Sequence, residues 1–335
     1  MMVSYTMIGR EAKVFLVIPT IRDLNFLKSW GNNFSKCNLI VVEDRQRKSI
    51  KVPKISAKSV HHYSWEDIDR DLGKNNWIIS RHNAGVRSYG FYKAYKLGAD
   101  VIMTIDDDCY PTSDNFVEGH LDNLNFRYSD KWINTYPDPK WMYTRGVPYK
   151  IRDKITTGIS HGIWSGALDL DGLVESKLPN LLNEKSYPQI RQAVPFGCYY
   201  PMCSMNLAFG RKVTPLMFFP MMGQSPDGRK WPYDRFDDIW AGVFSKKIMD
   251  HLGLGVINGS PIINHKKASK PKENQIKEMS GMKINETLWK KIDEVELTSK
   301  TPKNCYIELA QKANFPKNYY FNKLKEAMII WANLF

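Results

Sequence analysis

Apolar residues along the first third of the chain cluster in short runs. Positions 13–18, 39–42 and 101–105 each read as a strand, and stretches of helical period lie between them. Within 23–33, Leu24, Leu27 and Trp30 recur at three-residue intervals, Asp23 stands where an N-cap belongs and Gly31 weakens the end, so a helix is predicted there. Val86, Tyr89, Lys93, Tyr95 and Leu97 make 83–97 compatible with a helix that leads through Gly98 into the next strand. Strands alternating with helices predict an α/β domain with a mainly parallel, Rossmann-type sheet flanked by helices. From about 110 to 228 the chain is rich in Pro, Gly, Tyr and Trp and reads as structured loops and short strands, a place to assemble a substrate pocket. A further helix is predicted over 234–251, stopped at Gly253, because Phe236, Ile239, Trp240, Val243, Phe244 and Ile248 fall on one stripe.

After Lys266 the chain is Lys-rich and helical in patches, with breaks at Pro271, Pro302 and Pro316. Near its end Tyr320, Leu324, Ala327, Met328 and Trp331 share a helical face, suited to docking on the core or a second subunit, or to peripheral contact with an anionic membrane surface. Of 335 residues, 43% are hydrophobic and 13% aromatic, which excludes a largely disordered chain and leaves one large or two small domains. The net charge is +13, and 266–335 alone holds 14 lysines against 8 acids, so part of the basicity belongs to the C-terminal segment. Such a balance favours nucleotide phosphates, nucleic acid or an acidic membrane as partner. Aromatics interleaved with arginine, as base stacking needs, are missing from that segment, and nucleic acid is not expected. Five scattered cysteines without a CxxC pair, Arg10 and Glu11 where a signal peptide needs an apolar core, and no membrane-length apolar run together predict a cytoplasmic protein with reduced thiols.

The phrase VIMTIDDDCYP runs an apolar strand into Asp106, Asp107 and Asp108. In open α/β sheets ligands sit beyond the carboxyl ends of the strands, where acids hold a divalent cation through hard oxygen ligands. Side chains alternate along a strand, so Asp106 and Asp108 converge as metal ligands while Asp107 faces elsewhere. A solvated acidic turn has the same pattern. VIPTIRD places Pro19, Thr20 and Arg22 between a strand and a helix start, where backbone N–H groups, a hydroxyl and a guanidinium suit a base or phosphate. Glu43 and Asp44, at the neighbouring strand end, are placed to accept from a ribose or uracil edge.

Arg235, Asp237 and Asp238 open the helix predicted from 234, where acids favour the positive end of the dipole; a catalytic or sugar-binding carboxylate is the alternative. His265, beside Lys266 and Lys267, is either a structural histidine or a group for metal and diphosphate. His161 and Trp164 offer a sugar a polar edge and a flat face, or pack a loop. No GxGxxG follows the first strand and no GxxxxGK[ST] occurs, which argues against a dehydrogenase and a P-loop kinase.

Taken together, VIPTIRDLNFLKSW, IDDDCYP, SHGIW, YPMCSMNLAF, RFDDIWAG and HLGLGV…NHKKAS resemble the reversibly glycosylated polypeptide family, whose plant members act as UDP-arabinopyranose mutases. The motifs follow the family's order from about 14 to about 270, and no counterpart is identified for the segment from Lys272. The resemblance implies a glycosyltransferase GT-A-like fold, a UDP-sugar ligand and a divalent metal, Mn²⁺ or Mg²⁺, at Asp106 and Asp108 with His265. It also implies a reversibly glycosylated arginine: the family phrase similar to RCFGY falls on RSYGF, hence on Arg87. A guanidinium with a pKa above about 12 is a poor nucleophile, so Asp107, Asp237 or Asp238 would have to orient it and share its charge. Where the plant members read DGD and GYPFS, this chain has Glu43-Asp44-Arg45 and Gly146-Val147-Pro148-Tyr149.

The expectation is therefore a metal-dependent mutase that interconverts pyranose and furanose UDP-L-arabinose with self-glycosylation on Arg87, working as a homo-oligomer. An acceptor-dependent glycosyltransferase and a non-enzymatic sugar-nucleotide-binding scaffold are the alternatives. The expected division is a catalytic domain over 1–270, with a nucleotide-binding half at 13–110 and a sugar or acceptor half at 111–270, followed by a basic helical C-terminal extension at 271–335.

Overall fold

A computed structural model describes residues 8–9, 11–133, 143–177, 182–183, 190–267 and 269–335. Strands β1 (Val14–Thr20), β2 (Cys37–Glu43), β3 (Ser59–Tyr63) and β4 (Val101–Ile105) lie side by side in the order β3-β2-β1-β4, all parallel. β1, β2 and β4 are buried on both faces, which is why they read as unbroken apolar runs rather than as alternations. Val14 pairs with Cys37 on one side and Val101 on the other, so the carboxyl ends of these strands reach one edge of the sheet.

The second half of the sheet is mixed. It contains β5 (Cys109–Pro111), β6 (Arg127–Tyr128), β7 (Ile155–Ala167), β8 (Leu182–Asn183), β9 (Arg191–Ala193), β10 (Asn206–Gly210) and β11 (Leu254–His265). β10 is antiparallel to both β4 and β7, while β7 and β11 are parallel and end together, with His265 opposite Gly166. The start of β10 and the ends of β7 and β11 thus come to the edge already formed by β1, β2 and β4. The parallel expectation holds for the first four strands; β10 departs from it because strand direction is set by the connection, which the strand's own residues do not encode.

Helices α1 (Trp65–Leu72), α2 (Arg87–Lys96), α3 (Phe116–Asn125), α4 (Gly172–Lys177) and α5 (Asp237–His251) flank the sheet. α2 lies directly on β1 and β2: a Cβ at Gly90 would stand 2.4 Å from Val17 Cγ1, so only glycine permits this approach, which brings Arg87 to the sheet edge. Over 23–33 the expected helix is a short 3-10 helix, Asn25–Trp30. Asp23 engages Asn25 N in a local turn at 2.6 Å, and the three-residue spacing of Leu24, Leu27 and Trp30 is itself the 3-10 repeat. The helix expected from 234 starts at Asp237, because Arg235 adopts φ +64°, which a right-handed helix cannot contain.

α6 (Pro271–Asp293), α7 (Pro302–Lys312) and α8 (Tyr319–Ala332) complete the chain. Tyr320, Leu324, Ala327, Met328 and Trp331 of α8 are buried in the same apolar cluster as α5 and the sheet, and Trp331 Nε1 donates to Pro215 O at 3.1 Å. The amphipathic face of α8 is therefore occupied by the core. No described helix is long and apolar enough to cross a membrane.

Candidate functional site

A cavity of about 690 Å³ opens at the sheet edge where these strand ends, the segment before β10 and the start of α5 meet. Among the described residues ten carboxyl side chains line it against five arginines and lysines, the reverse of the protein's overall charge. The placement follows from topology, since loops at strand carboxyl ends carry polar residues that the strands themselves exclude.

Arg87, the first residue of α2, is fully buried at one wall. Its Nε donates to Ala84 O at 3.1 Å, Nη1 donates to Thr104 Oγ1 at 3.0 Å and Ser204 O at 2.8 Å, and Nη2 is bonded to Asp106 Oδ1. Burial alone would lower its pKa; Asp106 first, then Asp238 and Asp237, outweigh that and hold it charged. Asp107 accepts from Thr20 Oγ1 at 2.8 Å and faces Arg22 Nη2 at 3.3 Å. Burial raises its pKa and these two partners pull it back.

Asp108 is different. Its Oδ1 is buried without a hydrogen-bond partner among the described residues and lies 3.8 Å from His265 Nε2. His265 Nδ1 bonds Ala167 O at 3.0 Å, and since a carbonyl only accepts, that nitrogen carries the proton and Nε2 is the one turned to Asp108. A bare carboxylate oxygen and an imidazole oriented through its other nitrogen form a donor set that fits a divalent cation. Burial, then Asp106, push the Asp108 carboxyl up to about 6, with His265 and Arg22 pulling it back. Asp106, expected beside Asp108 as a ligand, is paired with Arg87 instead. Among the described residues no three candidate ligands are close enough to enclose an ion by themselves.

Asp238, 100° further round the first turn of α5 than Asp237, accepts from Ser204 N at 3.0 Å and Ser204 Oγ at 2.9 Å, and Ser204 O in turn accepts from Arg87 Nη1, so one serine joins the two. Asp237 is buried, lines the cavity, and makes no side-chain hydrogen bond to another described residue. Burial raises both carboxyls; Asp237, with Asp238 and Asp234 beside it, is raised to about 8. Arg235, in its left-handed conformation, donates from Nε to Glu278 Oε1 at 2.7 Å, and the other Glu278 oxygen accepts from Gly172 N at 2.5 Å.

Pro19, Thr20, Arg22, Asp44, Trp164, Arg235 and Lys267 all line the cavity, as do Arg87, the three strand-end acids, Asp237, Asp238 and His265. Asp44 does so while accepting from Trp65 Nε1 at 2.8 Å, His82 N at 3.1 Å and Asn83 N at 2.9 Å. Lys267, its pKa lowered by burial, is paired with Glu175. Three candidates turn elsewhere. Glu43 binds the Ser49 and Ile50 amides and His62. His161 bonds Asn258 Oδ1 at 2.8 Å and accepts from Cys203 N at 2.9 Å, and burial lowers its pKa, so it is a neutral brace for the segment before β10. Lys266 sits over the Tyr110 ring at 4.2 Å. The sequence reading missed Asp169, Ser204, Asp234, Lys277 and Glu278, which also line the cavity. Ser204 lies within YPMCSMNLAF, so the motif flagged the place without the role.

The family model for the reversibly glycosylated polypeptide matches residues 9–335. The match therefore includes the C-terminal segment, for which the motif reading identified no counterpart. The chain is 37% identical over 332 residues to UDP-arabinopyranose mutase 1 of Arabidopsis thaliana, covering 94% of this chain and 90% of that protein. It is 36% identical over 332 residues to UDP-arabinopyranose mutase 1 of Oryza sativa subsp. japonica and 37% identical over 332 residues to probable UDP-arabinopyranose mutase 1 of Solanum tuberosum, in each case covering 94% of this chain and 88% of the relative. With strand ends, acids and α5 motif all gathered around one cavity and similarity running through the last helix, this chain belongs to the reversibly glycosylated polypeptide family.

Proposed function

We propose that the protein is a UDP-sugar mutase that interconverts the pyranose and furanose forms of UDP-L-arabinose on a GT-A-like scaffold. The observation that carries this reading is an acid-rich cavity at the strand carboxyl ends, built around a buried, charged Arg87, in a chain whose relatives are named UDP-arabinopyranose mutases.

The chain's own groups divide the work by charge. Arg22, with nearly half of its side chain exposed, and Lys267 and Lys277 are cations at the cavity that suit a diphosphate. Carboxylates lining the same cavity outside α5, Asp106 foremost, offset the positive charge that develops at the anomeric carbon C1 when UDP leaves with the bonding pair. A divalent cation held by Asp108 and His265 would neutralise charge on the departing diphosphate. Arg87 is arranged as a fixed cation, with four of its five N–H groups engaged. Self-glycosylation there would take place at Nη2: the C1–N bond forms as the C1–O bond to UDP breaks, and the displaced proton passes to Asp106.

The test is incubation of the protein with UDP-L-arabinofuranose, with and without Mn²⁺ and with no acceptor, followed by chromatography of the nucleotide sugars and intact mass of the protein. Formation of the pyranose is expected, and an added pentose on the protein would assign the adduct. UDP release that begins only when a glycan acceptor is supplied would replace this reading with a glycosyltransferase.

A further inference from the structure

We propose that Asp237 and Asp238 form the proton relay of the ring exchange, Asp237 serving the ring oxygen that opens and Asp238 the hydroxyl that closes. The proposal rests on the mutase reading. Its starting point is a difference between two adjacent side chains: Asp238 is held by both donors of Ser204, whereas Asp237, 7% exposed, faces the cavity and takes no hydrogen bond from any other described residue, only from its own backbone N–H. Burying a carboxyl group with so few donors is unfavourable in its charged form and leaves it a proton to give.

The reaction requires such a pair. Going from pyranose to furanose breaks C1–O5 and forms C1–O4. The electron pair of the broken bond stays on O5, which takes a proton, and O4 supplies the new pair and gives its proton up. UDP leaves C1 and returns, so the net change is one proton moved from O4 to O5, without oxidation or reduction. A neutral carboxyl group and a carboxylate side by side perform both transfers, and the reverse reaction exchanges their parts.

The surroundings support this division. Arg87 of α2 shares Ser204 with Asp238, Asp234 precedes the pair, and Tyr320 of α8 neighbours Asp237 with a buried hydroxyl that has no hydrogen-bond partner among the described residues. Of these only Arg87 favours an ionised Asp237, and Arg87 is already bonded to Asp106. Burial and the neighbouring acids raise Asp237 to about 8, so it holds its proton at neutral pH.

The experiment separates bond cleavage at C1 from ring exchange. UDP-L-arabinofuranose carrying ¹⁸O between C1 and the β-phosphorus reports cleavage when the label scrambles into the non-bridging β-phosphate oxygens, and chromatography reports ring exchange. For Asp237→Asn, scrambling within about threefold of wild type is expected while ring exchange falls about 100-fold. The basic limb of the wild-type exchange profile, near pH 8, is expected to vanish in that variant, and Asp237→Glu to restore part of the exchange. Asp238→Asn is expected to show the same separation. Parallel loss of scrambling and exchange in Asp237→Asn, or exchange that survives it, overturns the relay. Wild-type protein that neither scrambles nor exchanges overturns the mutase reading itself, and the relay with it.

Discussion

The cavity is bordered by two runs of adjacent acids, Asp106, Asp107 and Asp108 after β4 and Asp237 and Asp238 at the start of α5, which look alike in sequence and differ in surroundings. Each strand-end acid faces a basic group: Asp106 has Arg87, Asp107 has Arg22, and Asp108 has Arg22 at 3.7 Å and His265. The helix-start acids have no ion pair among the described residues; Asp238 is answered by neutral donors of Ser204 and Asp237 by no donor of another residue. Matched acids hold charge and suit a cation, whereas an unmatched buried acid holds a proton. Two carboxylate runs of nearly identical sequence are thereby prepared for different chemistry.

The largest expected effect comes from breaking the matched side. Arg87→Met leaves Asp106 without its partner and Thr104 Oγ1, Ser204 O and Ala84 O without a donor, and should cost about 3–5 kcal/mol in folding stability, read as a lower urea midpoint. An unchanged midpoint would mean that water replaces the guanidinium at no cost, and the contrast between the two runs would lose its basis.

Titration sharpens the unmatched side. Asp237 has a folded pKa of about 8 against an unfolded value of 3.8, so between these the folded state binds more protons than the unfolded one. Its contribution to stability is complete below about pH 4 and is lost as pH rises through 8, with a slope of up to about 1.4 kcal/mol per pH unit. Asp237→Asn should flatten the dependence of the urea midpoint over pH 5–9 and exceed wild type at the upper end. Equal slopes in the two proteins would show that Asp237 is ionised in the folded state.

The smallest effect marks the boundary of the site. Lys266 is exposed, stacks on Tyr110 and lies outside the cavity, so Lys266→Ala should cost less than about 1 kcal/mol and leave UDP affinity within twofold of wild type by calorimetry. A tenfold loss of affinity would extend the site past Lys267.

Much of the cavity was legible before the fold. The runs ending at Thr20, Glu43 and Ile105 are strands, and the stripe from Phe236 to Ile248 is a buried helix face, because apolar periodicity is local and strong. Glu43 and Asp44 show where local reading ends. They are neighbours, yet one binds the loop at Ser49 and Ile50 and the other lines the cavity, since adjacent strand residues point to opposite faces and the pattern alone does not say which face holds the ligand. Glu278 was missed for another reason. It lies in a helix whose exposed Ile276 and Met279 and many lysines read as a peripheral segment, and only the packing of α6 against α4 and the start of α5 carries it to Arg235.

The sequence by itself determined where the strands end, which acids stand there, where α5 runs and which family the motifs resemble, because each depends on residues close in the chain. Tertiary structure alone decided that β10 runs against β4, that His161 braces a backbone, that Arg87 takes Asp106 as its partner, and that Asp238 rather than Asp237 receives donors from another segment. The reason is physical: the charge state of a buried acid depends on what other segments place within a few ångströms of it, and those neighbours come from all over the chain.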